Sequence, residues 1–338
     1  MVFSRINFNF KRKKKTIFFI TFAIHFIYTM QKIKFLFLTL LFASVTLSQT
    51  TKENLFFIDY ERDTKWLNNL QSLIINANEG MDSTIDIYKT FRAINSVSDI
   101  SINYNNIIRQ YINKYLSYRW IRKTYGLLKF YEPLFESKLK EYNLPIELKY
   151  LAIVESNLNP QAGSWVGASG LWQFMPKTGA NYGLFKNSNI NLFYDAYAST
   201  DAACQYFVFL YNILGDWNLV LSAYNAGHGT VLKAIKKAGS KQYWQVRQYL
   251  PDETKAYVPS FHAVRYIGEM YPLLFETLTT LKYDYTKVKE TVVTKKTTFK
   301  EFAKENNLNL KQIYFLNPHI VTEIIPQGCF IYYIDNNQ

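Results

Sequence analysis

The stretch that decides the fold runs from Leu144 to Pro176 and reads LPIELKYLAIVESNLNPQAGSWVGASGLWQFMP. Pro145 suits the first turn of a helix, and apolar residues then recur at helical spacing. Pro160 and Gly163 predict that this helix stops soon afterwards. Glu155 is therefore expected in the last turn of a largely apolar helix.

The expected position of Glu155 has a chemical consequence. The C-terminal end of a helix carries partial negative charge, which disfavours an ionised carboxylate, and apolar neighbours disfavour it further. Both effects raise the carboxyl pKa toward the range in which a general acid works near neutral pH. The alternative for an isolated glutamate is an ordinary surface position at a helix end, so the residues that follow decide between the two.

The residues after Pro160 combine small side chains with aromatic and polar ones. Glycines there let a backbone approach a ligand closely. Trp172 and Phe174 are predicted to offer their faces to sugar rings, and Ser164 and Gln173 to offer hydrogen bonds. A turn leading into a second helix is the alternative interpretation of the same residues.

Four motifs, taken together in order and spacing, make the pattern specific. They are Glu155-Ser156, then Ser164 with GASGLWQFMP at 167–176, then AYNAG at 223–227, and ETKAYVP at 253–259. Together they resemble the lytic transglycosylases of the soluble-type (SLT) domain family, and within it the membrane-bound D-type subgroup. The similarity covers residues 125–271.

This resemblance implies a mainly α fold with a lysozyme-like catalytic domain of the goose-type/SLT kind. It implies that Glu155 and Tyr224 are catalytic, with Tyr224 facing the Glu155 carboxyl or the substrate. It further implies substrate-binding roles for Ser164, Gln173, Met175, Asn225, Glu253 and Tyr257. The implied partner is the peptidoglycan glycan strand, and neither a cofactor nor a metal ion is expected.

The chemistry implied by the family is unusual among enzymes that cleave glycosidic bonds, which normally use two carboxylates. The available aspartates are Asp195, Asp201, Asp216 and Asp252, and none lies in a motif typical of a second catalytic carboxylate. The resemblance implies that Glu155 alone serves, first as acid and then as base, while the muramic acid C6 hydroxyl closes a 1,6-anhydro ring. Two alternatives stay open: a goose-lysozyme-like hydrolase that uses the same acid with water, and a non-catalytic cell-wall binding protein.

Residues 1–48 have the features of a targeting leader. Basic residues precede two apolar runs, 17–28 and 35–47, and neither run reaches the ~18 residues that a spanning helix needs. The second unit starts at Met30 and is typical of a secretory signal peptide cleaved before Gln49, which makes the residues before Met30 an upstream extension. An uncleaved N-terminal anchor is the alternative. In both cases we expect export to the periplasm or cell envelope, with peripheral membrane association left open.

Charge and cysteine content exclude several function classes. Eight of the 39 Lys and Arg lie in the leader, so 31 basic residues face 26 acidic ones in the remainder, a net charge of +5. A mildly basic surface is compatible with an anionic cell-wall polymer, whereas no nucleic-acid motif or dense basic helix is present. Cys204 and Cys329 indicate neither a disulfide framework nor a metal site.

Domain boundaries follow changes in composition. Residues 49–124, which lack proline, predict a helical N-terminal region, and residues 125–280 the catalytic domain. Residues 283–336 predict a strand, two helices and a final strand, an order similar to that of the LysM peptidoglycan-binding module. Lys295-Lys296-Thr297 stand where such modules carry Gly-Asp, so sugar binding and simple packing both stay open for this region.

The finer predictions concern helix bounds. We expect helices over 98–118, 130–143, 195–214, 298–305 and 309–316, and a further helix that opens at 216–218 and carries 219–224. Asp252 is expected to cap a further helix, and Thr298 the first helix of the C-terminal pair.

Overall fold

The computed structural model describes residues 74–75, 86–275 and 280–335, all within one compact unit that begins at Phe56. The predicted leader and residues 49–73 and 76–85 of the predicted N-terminal region lie outside the described residues. The described part is mainly helical, which confirms the predicted fold class. Within it, no helix combines the length and the apolar character needed to cross a membrane.

The helices follow one another along the chain with short connections. They are α1 (Ile87–Ser96), α2 (Asn106–Leu116), α3 (Ile121–Glu141), α4 (Leu151–Ser156), α5 (Pro176–Ala180), α6 (Ala196–Leu214), α7 (Trp217–Ala226), α8 (His228–Ala238), α9 (Tyr243–Val246), α10 (Asp252–Leu274), α11 (Phe299–Glu305) and α12 (Leu310–Leu316). Single 3₁₀ turns cover Ile146–Tyr150, Leu192–Tyr194, Arg247–Tyr249 and Tyr285–Lys287.

Strands are short and pair in twos, all antiparallel. They are β1 (Ile74–Ile75), β2 (Thr280–Leu281), β3 (Lys289–Val292), β4 (Thr297–Thr298), β5 (Ile324–Ile325) and β6 (Phe330–Tyr333). The pairs are β1 with β2, β3 with β6, and β4 with β5.

The helix α10 lies at the centre of the core. It is buried over most of its 23 residues and packs against α2, α4 and α7. Pro251 is its N-cap, and Asp252, expected there from the sequence, is instead its first helical residue and pairs with Lys255 at 2.9 Å. Asp252 and Glu253 thus place negative charge in the first turn, where the partial positive charge of the helix end favours it.

The predicted helix over 98–118 is shorter than expected and begins at Asn106. The Asn105 side chain accepts hydrogen bonds from the first free backbone N–H groups of α2 and so fixes its start. The preceding residues are held in a non-helical path because Asn95 both donates to and accepts from the Ile102 backbone, at 2.9 Å in each case. The Asn95 amide thus satisfies the backbone N–H and carbonyl of Ile102, which in a helix would bond to other backbone groups.

The predicted helix over 130–143 is longer than expected, because α3 already begins at Ile121 and runs across the predicted domain boundary after residue 124. The buried Lys149 ammonium pairs with Glu132 at 2.5 Å and Glu136 at 2.8 Å, both on α3. This pairing fixes the 3₁₀ turn that leads into α4 against the longest helix of the N-terminal half.

The segment that carries Glu155 is a 3₁₀ turn followed by the short helix α4, with Pro145 as the cap residue before the turn. The helix ends earlier than Pro160 and Gly163 suggest, because Asn157 and Leu158 both adopt positive φ angles, 52° and 64°. A left-handed conformation is costly for leucine. Complete burial of Leu158 in the core accompanies it here.

The caps of α6 and α7 confirm the sequence prediction. Asp195 accepts hydrogen bonds from Tyr197 and Ala198 at the start of α6, and Gly215 ends that helix with a φ of 69°. Asp216 then caps α7. His228, which directly follows the AYNAG motif, is exposed and forms the first residue of α8.

The C-terminal segment has the predicted order of strand, two helices and strand, with β4 and β5 as an additional short pair. Thr298 caps α11 through a capping box with Glu301, as expected. The identification of this segment as a LysM-like module stays a prediction.

Close packing joins the C-terminal segment to the helical body. Phe315 on α12 lies with its ring centroid 5.2 Å from that of Phe130 on α3. Phe315, Leu316 and Ile334 belong to the same buried cluster as the core of α10. The segment is therefore part of the described core and not a freely tethered appendage.

The loop between α4 and α5 is closed by a tight approach at Gly170. Ser169 bridges to both Gly163 and Phe174, and Gly170 has a φ of +84°. A Cβ atom added at Gly170 would lie 1.8 Å from the backbone oxygen of Phe193. Only glycine fits this position, since both the backbone angle and the space exclude a side chain.

We predict that Gly170→Ala destabilises the protein more than Gly167→Ala does. Gly167 also has a positive φ, +93°, but an added Cβ there meets no described atom within 4 Å. The Gly167 variant should therefore lose only about 1–2 kcal/mol of stability, the cost of a left-handed conformation for a residue with a side chain. The Gly170 variant should lose about 1–3 kcal/mol more, because of overpacking. Urea unfolding of both variants measures the difference, and equal losses would contradict the tight approach.

Candidate active site

Glu155 lies in the last turn of α4, as the sequence predicts, and its carboxyl faces α10. The Tyr257 hydroxyl, one turn into α10, donates a hydrogen bond to Glu155 Oε1. The Tyr257 side chain is buried, whereas the Glu155 side chain keeps partial access to solvent. A carboxyl that is enclosed by protein and open at one edge can exchange a proton with a bound molecule.

The environment of Glu155 changes its acidity strongly. Burial raises the pKa of Glu155 to about 8; the hydrogen bond from Tyr257 acts in the opposite direction, and the negative charge of Glu253 raises the pKa further. The carboxyl is therefore largely protonated near neutral pH. The raised pKa expected from the sequence is confirmed, with desolvation as its main cause.

Tyr257 and not Tyr224 makes the hydrogen bond to the Glu155 carboxyl. The Tyr224 hydroxyl, expected to face the Glu155 carboxyl or the substrate, donates to the backbone oxygen of Trp172 at 2.8 Å. Burial, followed by the nearby Glu155 charge, raises the pKa of both phenols well above the ordinary value. Both hydroxyls therefore act as hydrogen-bond donors.

The polar side chains of the loop before α5 hold the loop itself. Gln173 has a positive φ of 46°, and its Nε2 donates to the carbonyls of Ala162 at 3.1 Å and Gly170 at 2.9 Å. Ser164 Oγ accepts from the Ala168 backbone N–H at 2.9 Å. Among the described residues, Gln173 Oε1 accepts no hydrogen bond, so this oxygen and the Ser164 hydroxyl proton are the groups left for a ligand.

Trp172 and Phe174 do not offer faces to a ligand, contrary to the sequence prediction. Both are buried, and Trp172 Nε1 donates to Thr200 Oγ1 at 3.0 Å while its ring packs edge-to-face against Phe135 and Phe207. The reason is the large apolar area of these rings, which stabilises the core more than it would a groove.

The exposed aromatic side chain of this loop is Trp165, which the sequence interpretation did not single out. It is 76% exposed, next to Val166 at 52%, and Met175 at the start of α5 is 43% exposed. Its exposure could have been predicted from the small residues around it, between Ser164 and Gly167, because a turn of small residues cannot cover an indole ring.

The end of α7 and the start of α10 meet beside Glu155. Asn225 Oδ1 accepts from Thr254 Oγ1 at 2.8 Å, which joins the two helix ends. Glu253 is exposed in the first turn of α10, four residues before Tyr257. The third and fourth sequence motifs thus both place residues near the Glu155 carboxyl, since its charge acts on Tyr224 and Tyr257.

The four aspartates considered as second catalytic carboxylates have other contacts. Asp195 and Asp216 cap helices, Asp201 pairs with Lys138 at 2.9 Å, and Asp252 pairs with Lys255. The carboxylate whose charge acts on Glu155 is Glu253. Within the described residues, no group of three His, Cys, Asp or Glu side chains is arranged to hold a metal ion.

Comparison with known proteins identifies part of this architecture. The family model of the transglycosylase SLT domain matches residues 132–247. The membrane-bound lytic murein transglycosylase D of Escherichia coli (strain K12) is 43% identical over 132 residues, which are 38% of this chain and 29% of that relative. The chain thus spans less than a third of the length of this relative. The same protein from Escherichia coli O6:H1 matches to the same extent.

Solved structures give partial likenesses. The 70 kDa soluble lytic transglycosylase of Escherichia coli matches 49% of this chain with 22% identity and a TM-score of 0.39. Its complex with bulgecin A matches 68% of this chain with 19% identity and a TM-score of 0.41. Residues 132–247 are thus similar to a transglycosylase SLT domain; Glu155 lies within this range, and Glu253 and Tyr257 follow directly after it.

Proposed function

We propose that this chain is a peptidoglycan lytic transglycosylase that cleaves the β-1,4 bond between N-acetylmuramic acid and N-acetylglucosamine without water. The observation that carries the proposal is the Glu155 carboxyl, held by Tyr257 inside an SLT domain with its pKa raised to about 8. Such a group can give up a proton and take one back near neutral pH.

In the first step, the protonated Glu155 carboxyl donates its proton to the glycosidic oxygen. The bond from C1 of the muramic acid to that oxygen breaks, and N-acetylglucosamine leaves with a free hydroxyl. The acetamido group of the muramic acid stabilises the positive charge that develops at C1. Glu155 is now a carboxylate, and the hydrogen bond from Tyr257 stabilises this charged form.

In the second step, the Glu155 carboxylate takes the proton from the muramic acid C6 hydroxyl. The C6 oxygen attacks C1, which closes the 1,6-anhydro ring and regenerates the protonated carboxyl. No water is consumed, and a nucleophile within the same sugar has a large effective concentration. One carboxyl therefore serves as acid and then as base, which needs a pKa near ambient pH.

The other motif residues take supporting parts in this proposal. Tyr257 is a positioning residue that orients Glu155, and Tyr224 fixes the backbone at Trp172. The substrate would bind to the free groups of Ser164, Gln173 and Asn225 and pack against Met175, with Glu253 at the edge of the groove.

Hydrolysis is a second candidate reaction, and the position of Glu253 favours it. Its carboxylate acts on Glu155 through charge and lies exposed in the first turn of α10. A water held by Glu253 could then replace the C6 hydroxyl as nucleophile. The two reactions differ in product mass, because an anhydro end is one water lighter than a hydrolysed one.

We also propose that the chain acts in the cell envelope, with residues 1–48 as an export leader and residues 283–336 as a LysM-like module. The relative with which it shares 43% identity is described as membrane-bound. Peripheral association with the membrane belongs to the same proposal.

We predict that Glu155→Gln lowers the release of anhydromuropeptides from purified sacculi by about 10²–10⁴-fold, because the amide can neither donate nor accept the transferred proton. Mass spectrometry of the soluble fragments measures the loss. Glu290→Gln, the same change at an exposed position on β3, is the matched control and should keep full activity. Undiminished release by the Glu155 variant would overturn the proposed function.

Two further substitutions should shift the pH dependence in opposite directions. Tyr257→Phe removes the hydrogen bond that lowers the pKa of Glu155, so the alkaline limb of kcat/KM should move to higher pH. Glu253→Gln removes the charge that raises this pKa, so the same limb should move to lower pH.

The direction follows because the first step needs the protonated acid, which is lost as pH rises through the pKa of Glu155. The control is Asp252→Asn, an exposed carboxylate next to Glu253 that should leave the limb in place. If the alkaline limb moved in the same direction in Tyr257→Phe and Glu253→Gln, the opposite effects assigned to these residues on the pKa of Glu155 would be contradicted.

A further inference from the structure

A cavity lies between the chain that follows α5 and the C-terminal segment, and Glu155 does not belong to its lining. Its volume is about 740 Å³, within the range of small-molecule sites. One wall comes from Phe185, residues 187–190, Leu192 and Asp195, and the other from His319 and residues 326–330. Neither wall encloses this space alone.

Direct contacts fix the two walls to each other. Ile190 and Ile320 form an antiparallel bridge, and backbone hydrogen bonds run from Asn191 to His319 at 2.8 Å and from Val321 to Asn189 at 2.9 Å. Because these are main-chain bonds within the chain itself, the two walls are joined without any ligand. A preformed site loses little conformational entropy on binding.

The floor of the cavity is polar and buried. His319 is 1% exposed; its Nε2 donates to the Phe330 carbonyl at 3.2 Å, while Nδ1 has no hydrogen-bond partner among the described residues. The nearest charged atom is Asp195 Oδ2, 3.7 Å from that nitrogen. Buried polar atoms are almost always satisfied, by protein, water or a ligand. His319 is therefore an enclosed polar side chain behind the lining, and the exposed amides of the lining are the polar groups that an occupant can reach.

The lining as a whole suits a neutral sugar. Phe185 and Phe330 contribute aromatic side chains that are 53% and 51% exposed. Asn187, Asn189 and Gln327 contribute amides, which pair well with hydroxyl and acetamido groups. No lysine or arginine belongs to this lining, and its one carboxylate is the capping Asp195. The chemistry thus disfavours phosphate or an acidic peptide and favours an uncharged ring with amide substituents.

We propose that this cavity is a second glycan-binding site that takes a neutral β-1,4-linked N-acetylhexosamine segment. Sugar rings lie against Phe185 and Phe330, and the acetamido groups bond to Gln327 and to the other amide side chains of the lining. The proposal rests on the proposed function, since the ligand is part of the same polymer. The proposed site differs from a binding site on a LysM-like module alone, because the C-terminal segment supplies only one wall and the chain that follows α5 supplies the other.

A link to the catalytic loop gives the second site a place in the reaction. Gln161 Nε2, in the loop that follows α4, donates to the Pro318 carbonyl at 3.2 Å, next to His319. The active-site loop and the cavity wall are therefore one connected surface. A strand held in the cavity would keep its neighbouring bonds within reach of the groove, which matters for an insoluble polymer and not for a short soluble fragment.

The test uses the full chain with Glu155→Gln, so that the ligand is not consumed. Calorimetric titration with tetra-N-acetylchitotetraose should show binding at two sites. Phe185→Ala and Gln327→Ala, each added to this background, should weaken one of the two sites about tenfold. Tyr249→Ala is the matched control, since that aromatic side chain is 49% exposed elsewhere on the surface and should leave both sites intact.

A second readout separates this proposal from the proposed function. With Glu155 restored, Phe185→Ala and Gln327→Ala should lose sacculus binding in a pelleting assay but keep turnover of a short soluble muropeptide. Activity retained by Glu155→Gln would refute the proposed function and leave the titration result standing.

Several results would overturn the second site itself. One is a single binding site in the Glu155→Gln background. Another is an affinity of Phe185→Ala and Gln327→Ala no lower than that of Tyr249→Ala. A cavity that binds a free stem peptide and not the chitotetraose would mark a peptide site instead. Both tested side chains are exposed, and an unchanged thermal unfolding temperature shows that the fold survives.

Discussion

The hydrogen bond from Tyr257 to the Glu155 carboxyl is the contact on which the rest of the site depends. A carboxyl taken out of water without a donor would lose its charge and also its orientation. Tyr257 restores part of the stability of the charged form while burial opposes it, and the balance places the pKa of Glu155 at about 8. This balance makes the group an acid and a base in turn.

The same balance has a cost for folding. The pKa of Glu155 is higher in the folded protein than the ordinary value of 4.5, so the folded state binds more protons than the unfolded state between these values. The stability contributed by this group therefore falls as pH rises from about 4.5 to about 8. The long buried helix α10, which also carries Tyr257, supplies the packing that offsets this cost.

Much of this arrangement could be predicted from local sequence signals. Glu155 at a helix end and the caps Asp195, Asp216 and Thr298 all follow from rules that involve only a few neighbouring residues. The sequence places the end of this helix soon after Asn157, close to where it lies, but not the left-handed conformation of Leu158. No local preference puts a leucine in that conformation, and burial of Leu158 in the tertiary core accompanies it here.

The other differences between sequence and structure also concern tertiary contacts. Trp172 lies in a motif beside exposed residues, yet its ring reaches the core because Phe135 and Phe207, far away in sequence, provide a pocket. Likewise, only the packing of α10 against α4 decides that Tyr257 and not Tyr224 faces Glu155. Sequence motifs assemble the residues of the site, whereas the direction of each side chain depends on neighbours that no motif contains.

The C-terminal segment follows the same logic on a larger scale. Its order of elements is readable from the sequence, but its position is set by contacts such as Phe315 with Phe130 and the bridge from Ile320 to Ile190. These contacts bury apolar side chains that an independent module would have to cover itself. In the proposed function, a segment fixed in this way would hold a bound glycan strand at one orientation to the Glu155 carboxyl, whereas a flexibly linked segment would only raise the local concentration of the polymer.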